Sequence, residues 1–159
     1  MIADEAAVES PLWAEALRPD QEHEAVFSPL ADERWALGLE TIYEGYLLHY
    51  GRPRLFAPAD RDTALLLGDY LYAHGLVRIA AWESVEAVAD LAALISLCAQ
   101  VRAERADGDG EAWAATAALL GRGPLFETCD PAELGAAARQ AAGLDAVERA
   151  LATHAVRVG

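Results

Sequence analysis

The sequence predicts an all-α fold, a single-domain bundle of about six helices, and three observations carry that reading. Ala, Leu, Glu and Arg are abundant, and all four are good helix formers. β-branched residues are few and scattered, and no period-two run of strand length stands out. Breaks at Gly51-Arg52-Pro53, Asp107-Gly108-Asp109-Gly110 and Gly121-Arg122-Gly123-Pro124 divide the chain into helix-sized segments. At 159 residues, one domain can bury a sizeable core without metals or disulfides.

Residues 1–27 read as an irregular N-terminal arm, with room for a short helix around Leu12 to Leu17. Trp13 in this arm is a candidate interface anchor. Residues 28–159 read as the helical domain. Ser28 as N-cap, Pro29 in the first turn, and Asp32 and Glu33 near the positive dipole end predict a helix from Ser28 to about His49. Leu37, Thr41, Glu44 and Leu48 follow one spacing, while Leu39, Ile42, Tyr43, Tyr46 and Leu47 cover much of the remainder. An apolar surface that wide implies burial on more than one side.

Asp60 or Asp62 caps the next helix, from about Arg61 to Ala81. Its interior glycines, Gly68 and Gly75, cost about 1 kcal/mol each relative to Ala, and close approach of another helix explains them. The short loop before it favours antiparallel packing on the Ser28–His49 helix. Further helices are expected at about 84–106, 111–120, 131–142 and 145–155. Asp130-Pro131-Ala132-Glu133 is the strongest start among them, with an N-cap, Pro at N1 and Glu at N3. Phe126 and Cys129 fall in a connecting piece.

Acids outnumber bases 26 to 12, for a net charge of −14. All the bases are Arg; Lys and Asn are absent. An anionic surface repels phosphate backbones and anionic lipid, so no nucleic acid is expected as partner. No apolar run approaches a membrane span. The acidic start lacks the basic region of a secretory leader, and two cysteines make no disulfide framework, so a cytoplasmic protein with free thiols is expected.

Glu40 and Glu44, with Asp69 and His74 on the following helix, invite a metal-enzyme reading. No Glu-x-x-His motif accompanies them. Asp69 and His74 are separated by about 500° of helical rotation and share a face poorly. Cys98 lies in an apolar stretch and reads as a small buried hydrophobe. Cys129 sits at a helix start without a nearby His. Ser28 and Ser84 read as caps, and Gly121-Arg122-Gly123-Pro124 lacks the Lys-Ser/Thr of a phosphate-binding loop. The absence of Lys excludes Schiff-base chemistry.

One region carries more than helical signal. Leu39-Glu40-Thr41-Ile42-Tyr43-Glu44-Gly45-Tyr46-Leu47-Leu48-His49 leads into Gly51-Arg52-Pro53, followed by Thr63-Ala64-Leu65-Leu66-Leu67-Gly68-Asp69-Tyr70-Leu71-Tyr72-Ala73. This resembles the polyprenyl (trans-isoprenyl) diphosphate synthase family over residues 35–80, with weaker similarity to about residue 150. The family-matching positions are Glu40, His49, Gly51, Arg52, Pro53, Gly68 and Asp69, all read as structural.

The departures from the family are chemical. Its first Asp-Asp-x-x-Asp motif belongs between His49 and Gly51, where only Tyr50 stands. His49 and Tyr50 occupy the places of its two diphosphate-gripping arginines. Ionising an allylic diphosphate needs Mg²⁺ bridged by carboxylates and cationic side chains, so no catalytic residue carries over and no cofactor is expected. The resemblance implies a non-catalytic small subunit that binds and modulates a catalytic prenyl diphosphate synthase. The alternatives are a homodimeric binding protein for an apolar, isoprenoid-like ligand, and a metal-dependent helical-bundle enzyme. It also implies that the two central helices form a subunit interface or flank the family's cavity; Trp35, Tyr43 and Tyr46 are interface candidates beside Trp13.

Overall fold

The computed structural model describes residues 1–122 and 130–159, and in it the described chain is an all-α bundle. Its helices are α1 (Ile2–Glu9), α2 (Pro11–Glu15), α3 (Ala36–Tyr50), α4 (Arg61–Ala80), α5 (Val85–Glu104), α6 (Asp109–Leu119), α7 (Pro131–Ala142) and α8 (Leu144–Val158). The six expected helices correspond to α3–α8; α2 overlaps the short helix allowed around Leu12 to Leu17, and α1 is additional. Phe126 and Cys129 lie outside the described residues. No helix is long and apolar enough to cross a membrane among the described residues.

The N-terminal segment is irregular only between α2 and residue 27. A helix as short as α1 is marginal alone and forms through tertiary contact. Ala3 and Ala6 are buried in one apolar cluster with Leu67, Leu71 and Phe56, and Trp13 packs on Tyr70 at 5.6 Å between centroids. Segment and loop meet again where Arg18 N donates to Leu55 O at 2.9 Å and Ala57 N to Ala16 O at 2.7 Å.

The helix expected from Ser28 begins at Ala36 instead. Ser28–Leu30 and Glu33–Trp35 are single 3₁₀ turns, separated by Ala31 in extended backbone. Ser28 does not cap. Its N–H, with that of Val26, is held by the Glu40 carboxylate, so the chain enters at an angle that buries Phe27 and Trp35. Asp32 caps the second turn, accepting from Arg34 N at 3.1 Å.

Helix α3 is buried almost all round and forms the axis of the main core, as its wide apolar surface predicts. It packs antiparallel on α4 through two glycine pairs. A Cβ on Gly45 would stand 2.8 Å from Gly68 O, and one on Gly75 would stand 3.0 Å from Gly38 O. Gly68 and Gly75 therefore serve close helix approach. Gly38 and Gly45 supply the matching face, at the same two-turn interval.

Candidate functional site

The positions of the central motif do structural work, beginning with a buried clamp. Arg54, 3% exposed, donates from Nε to Glu44 Oε2 at 3.0 Å and from a terminal nitrogen to Glu40 Oε2 at 2.5 Å. Its guanidinium also reaches Glu24 O at 2.7 Å. Glu44 Oε1 accepts from Arg54 N at 2.8 Å and Leu55 N at 2.7 Å. Burial works against the Arg54 charge, but the two carboxylates overcome it and raise its pKa above the ordinary value. Glu40 and Glu44, one turn apart on α3, thus hold residues 24–28 and 54–55 against the helix.

The Gly51-Arg52-Pro53 loop is pinned to α8. Gly51 passes so close that a Cβ would meet Arg157 O at 2.9 Å. Arg52 N donates to Arg157 O at 3.0 Å, and its guanidinium donates to Val156 O, so Arg52 satisfies carbonyls at the C-terminus of α8. Pro53 O accepts from Arg18 at 3.3 Å.

His49 and Asp69 meet across the α3–α4 seam. Nε2 of His49 lies 3.1 Å from Asp69 Oδ1, within ion-pair distance but without hydrogen-bond alignment. The ring stacks on Tyr72 at 5.1 Å, over the space left by Gly68. Burial lowers the His49 pKa against the opposing pull of Asp69. His74 points elsewhere, with Nε2 3.5 Å from Glu9. Glu40 and Glu44 are engaged by Arg54, Asp69 by His49, and His74 by Glu9, so the four residues of the metal-enzyme reading make separate contacts. No group of three or more His, Cys, Asp or Glu placed to hold an ion occurs among the described residues.

Trp35, Tyr43 and Tyr46 are corrected as interface candidates, because the chain buries them itself. The tyrosines join a brace the sequence did not disclose. Tyr43 OH lies 3.0 Å from His154 Nδ1, and His154 Nε2 lies 3.2 Å from Asp109 Oδ2. The same carboxylate oxygen accepts from Tyr46 OH and, at 2.6 Å, from Arg102. Four helices, α3, α5, α6 and α8, are tied at this point. Burial pushes the Asp109 carboxyl up, but hydrogen bonds from His154 and Tyr46 and the nearby cations outweigh it and hold it well below the usual range. Burial pushes both tyrosines up. None of these groups lines either of the two large clefts.

Those clefts lie at the surface. One of about 270 Å³ is walled by Ile2, Ala3, Ala25, Leu37 and Leu55, with Glu40 and Arg54 also lining it. The other, of about 510 Å³, lies between residues 18–24, the Arg52-Pro53 loop and the end of α8. A third feature is a face. On the outside of α5, Ala89, Ala92, Ala93, Ser96, Ala99 and Gln100 are exposed and uncharged. Leu66, Val77, Trp82 and Val85 on or beside α4 and α5 are 55–77% exposed.

No protein-family model, curated protein or solved structure matches the chain.

Proposed function

We propose that this protein is a non-catalytic accessory subunit that docks its α4–α5 face on a helical catalytic partner of the prenyl diphosphate synthase type. The observation that carries the reading is that outer face. In a chain of net charge −14, α5 carries no charged residue from Leu91 to Val101, and four large apolar side chains stand exposed on or beside α4 and α5. Large apolar side chains left exposed beside an uncharged helix face favour an interaction site there. The partner class rests on the resemblance over residues 35–80. The engaged state of Glu40, Glu44 and Arg52 supports a role outside catalysis, because each is already committed to holding the fold.

Co-expression with a full-length synthase from the same cell tests this. The pair co-elutes, and the synthase changes its rate or product length. Val77→Glu with Ala93→Glu abolishes both effects while the variant remains helical. Absence of co-elution and of any activity change contradicts the proposal.

A second reading is favoured by the 270 Å³ cleft, whose apolar walls suit a small apolar ligand without metal. Lipid extraction and mass spectrometry of the purified protein check it. A bound isoprenoid-like molecule lost in Leu37→Arg supports it, and a clean apo protein counts against it.

A further inference from the structure

We propose that the 510 Å³ cleft beside α8 is a binding site for a compact oxyanion, a phosphate or carboxylate group borne by a small organic molecule. Three of the chain's 12 arginines, Arg18, Arg52 and Arg157, line this one cleft of a strongly acidic protein. Glu22 and Glu24 line it too, and Asp20 pairs with Arg18 at 3.0 Å. Two features make the site more than a patch of surface charge. The Arg157 side chain is only 9% exposed, and its Nε–H finds no acceptor in the chain. Arg18 Nε–H is likewise buried and unpaired. An unpaired buried donor is costly, so an oxyanion that reaches either Nε–H once Glu22 moves aside is favoured.

The cleft also shows how it would hold its ligand. Glu22 places a carboxylate between the two guanidiniums, with Oε2 2.7 Å from Arg157 and Oε1 3.9 Å from Arg18. The Arg157 guanidinium holds the Glu22 carboxyl below its usual range. Glu22 stands on the irregular stretch between α2 and residue 27, with its side chain half exposed, so it can swing out. It is an internal stand-in for the oxyanion. An incoming phosphate or carboxylate takes its place on the Arg18–Arg157 pair, and the organic stem rests on Pro53 and Val156. The inference is independent of the accessory-subunit reading, because the cleft and the α4–α5 face are built from different elements.

Titration of the full chain with inorganic phosphate, and separately with succinate, at constant ionic strength against chloride tests this. The arginine Nε–H resonances are followed by NMR. Arg157 and Arg18 are expected to shift saturably with at least one of the two anions, and which one responds identifies the ligand group. Arg18→Gln is expected to weaken binding about tenfold or more, the loss of one charge-assisted contact. Glu22→Gln removes the competitor and is expected to strengthen binding about tenfold, a gain that damage to the fold does not produce. Glu104→Gln, remote in sequence and of equal charge change, controls for net charge and leaves affinity within about twofold. Resonances unmoved by either anion overturn the proposal. So does binding that Arg18→Gln and Glu22→Gln leave unchanged, or that Glu104→Gln strengthens as much as Glu22→Gln.

Discussion

Gly45 lies directly against Gly68, backbone on backbone, where a Cβ on Gly45 would stand 2.8 Å from the Gly68 carbonyl oxygen. The atom in the way belongs to the main chain of α4, so it cannot be moved by a change of rotamer. Gly45→Ala therefore forces α3 and α4 apart. Because the obstacle is main chain, the overpacking cost falls in the upper part of its range, about 2–3 kcal/mol, against about 1 kcal/mol returned by better helix propensity. Urea unfolding is expected to show a net loss, and calorimetry a fall in Tm of about 2–4 °C per kcal/mol. An unchanged or raised midpoint contradicts the packing described.

The Glu44–Arg54 pair makes a larger prediction. Glu44 is fully buried and satisfies two backbone N–H groups as well as the guanidinium. Glu44→Ala leaves Arg54 dependent on Glu40 and orphans both N–H groups, so a loss of about 3–5 kcal/mol is expected. Asp69→Ala, at a carboxylate 73% exposed, is expected to cost under about 1 kcal/mol. Equal losses in chemical denaturation at the two positions contradict the distinction between them.

Much of this was legible in the sequence, and what was not has a physical reason. Gly68 and Gly75 carry a cost that only close helix approach repays, and the structure supplies that approach. The wide apolar surface around Ile42 and Leu47 implied burial on more than one side, and α3 has it. Ser28-Pro29 imitated a helix start because the carboxylate that overrides it, Glu40, comes 12 positions later. Asp109 was hidden in a Gly-rich break; its partners Tyr46 and His154 lie 63 and 45 positions away. Helix α1 has too few residues to declare itself and is held by contacts made with α4. The cleft arginines share no local pattern either.

Acid stability reads the brace. Asp109 has a folded-state pKa below its ordinary 3.8. Its stabilising contribution is therefore complete above that value and is lost as pH falls through the folded-state pKa. Asp109→Asn is expected to cost about 1.5–3 kcal/mol near neutral pH, the range for hydrogen bonds to a charged group. The gap between the two proteins narrows below about pH 4, where the unfolded wild-type chain begins to bind a proton that the folded carboxylate still excludes. Denaturant midpoints across pH check this; a gap that widens in acid contradicts the assignment.

Cys98 supplies a chemical test of the core. It is 1% exposed, and burial pushes its thiol far above the usual range. With Cys129 replaced by Ser, the folded protein is expected to show no fast-reacting thiol toward a disulfide reagent, and one equivalent in denaturant. Rapid labelling of the folded variant contradicts the packing of α5 on α4 and α6.

Native mass spectrometry of the protein, gently tagged and purified from its own host, tests the accessory-subunit proposal most directly. The proposal predicts a complex with a larger chain whose sequence carries the Asp-Asp-x-x-Asp motif that this chain lacks between His49 and Gly51, dissociated by Val77→Glu with Ala93→Glu. A wild-type protein that emerges alone or only as a homodimer, with the α4–α5 variant indistinguishable from it, contradicts that role.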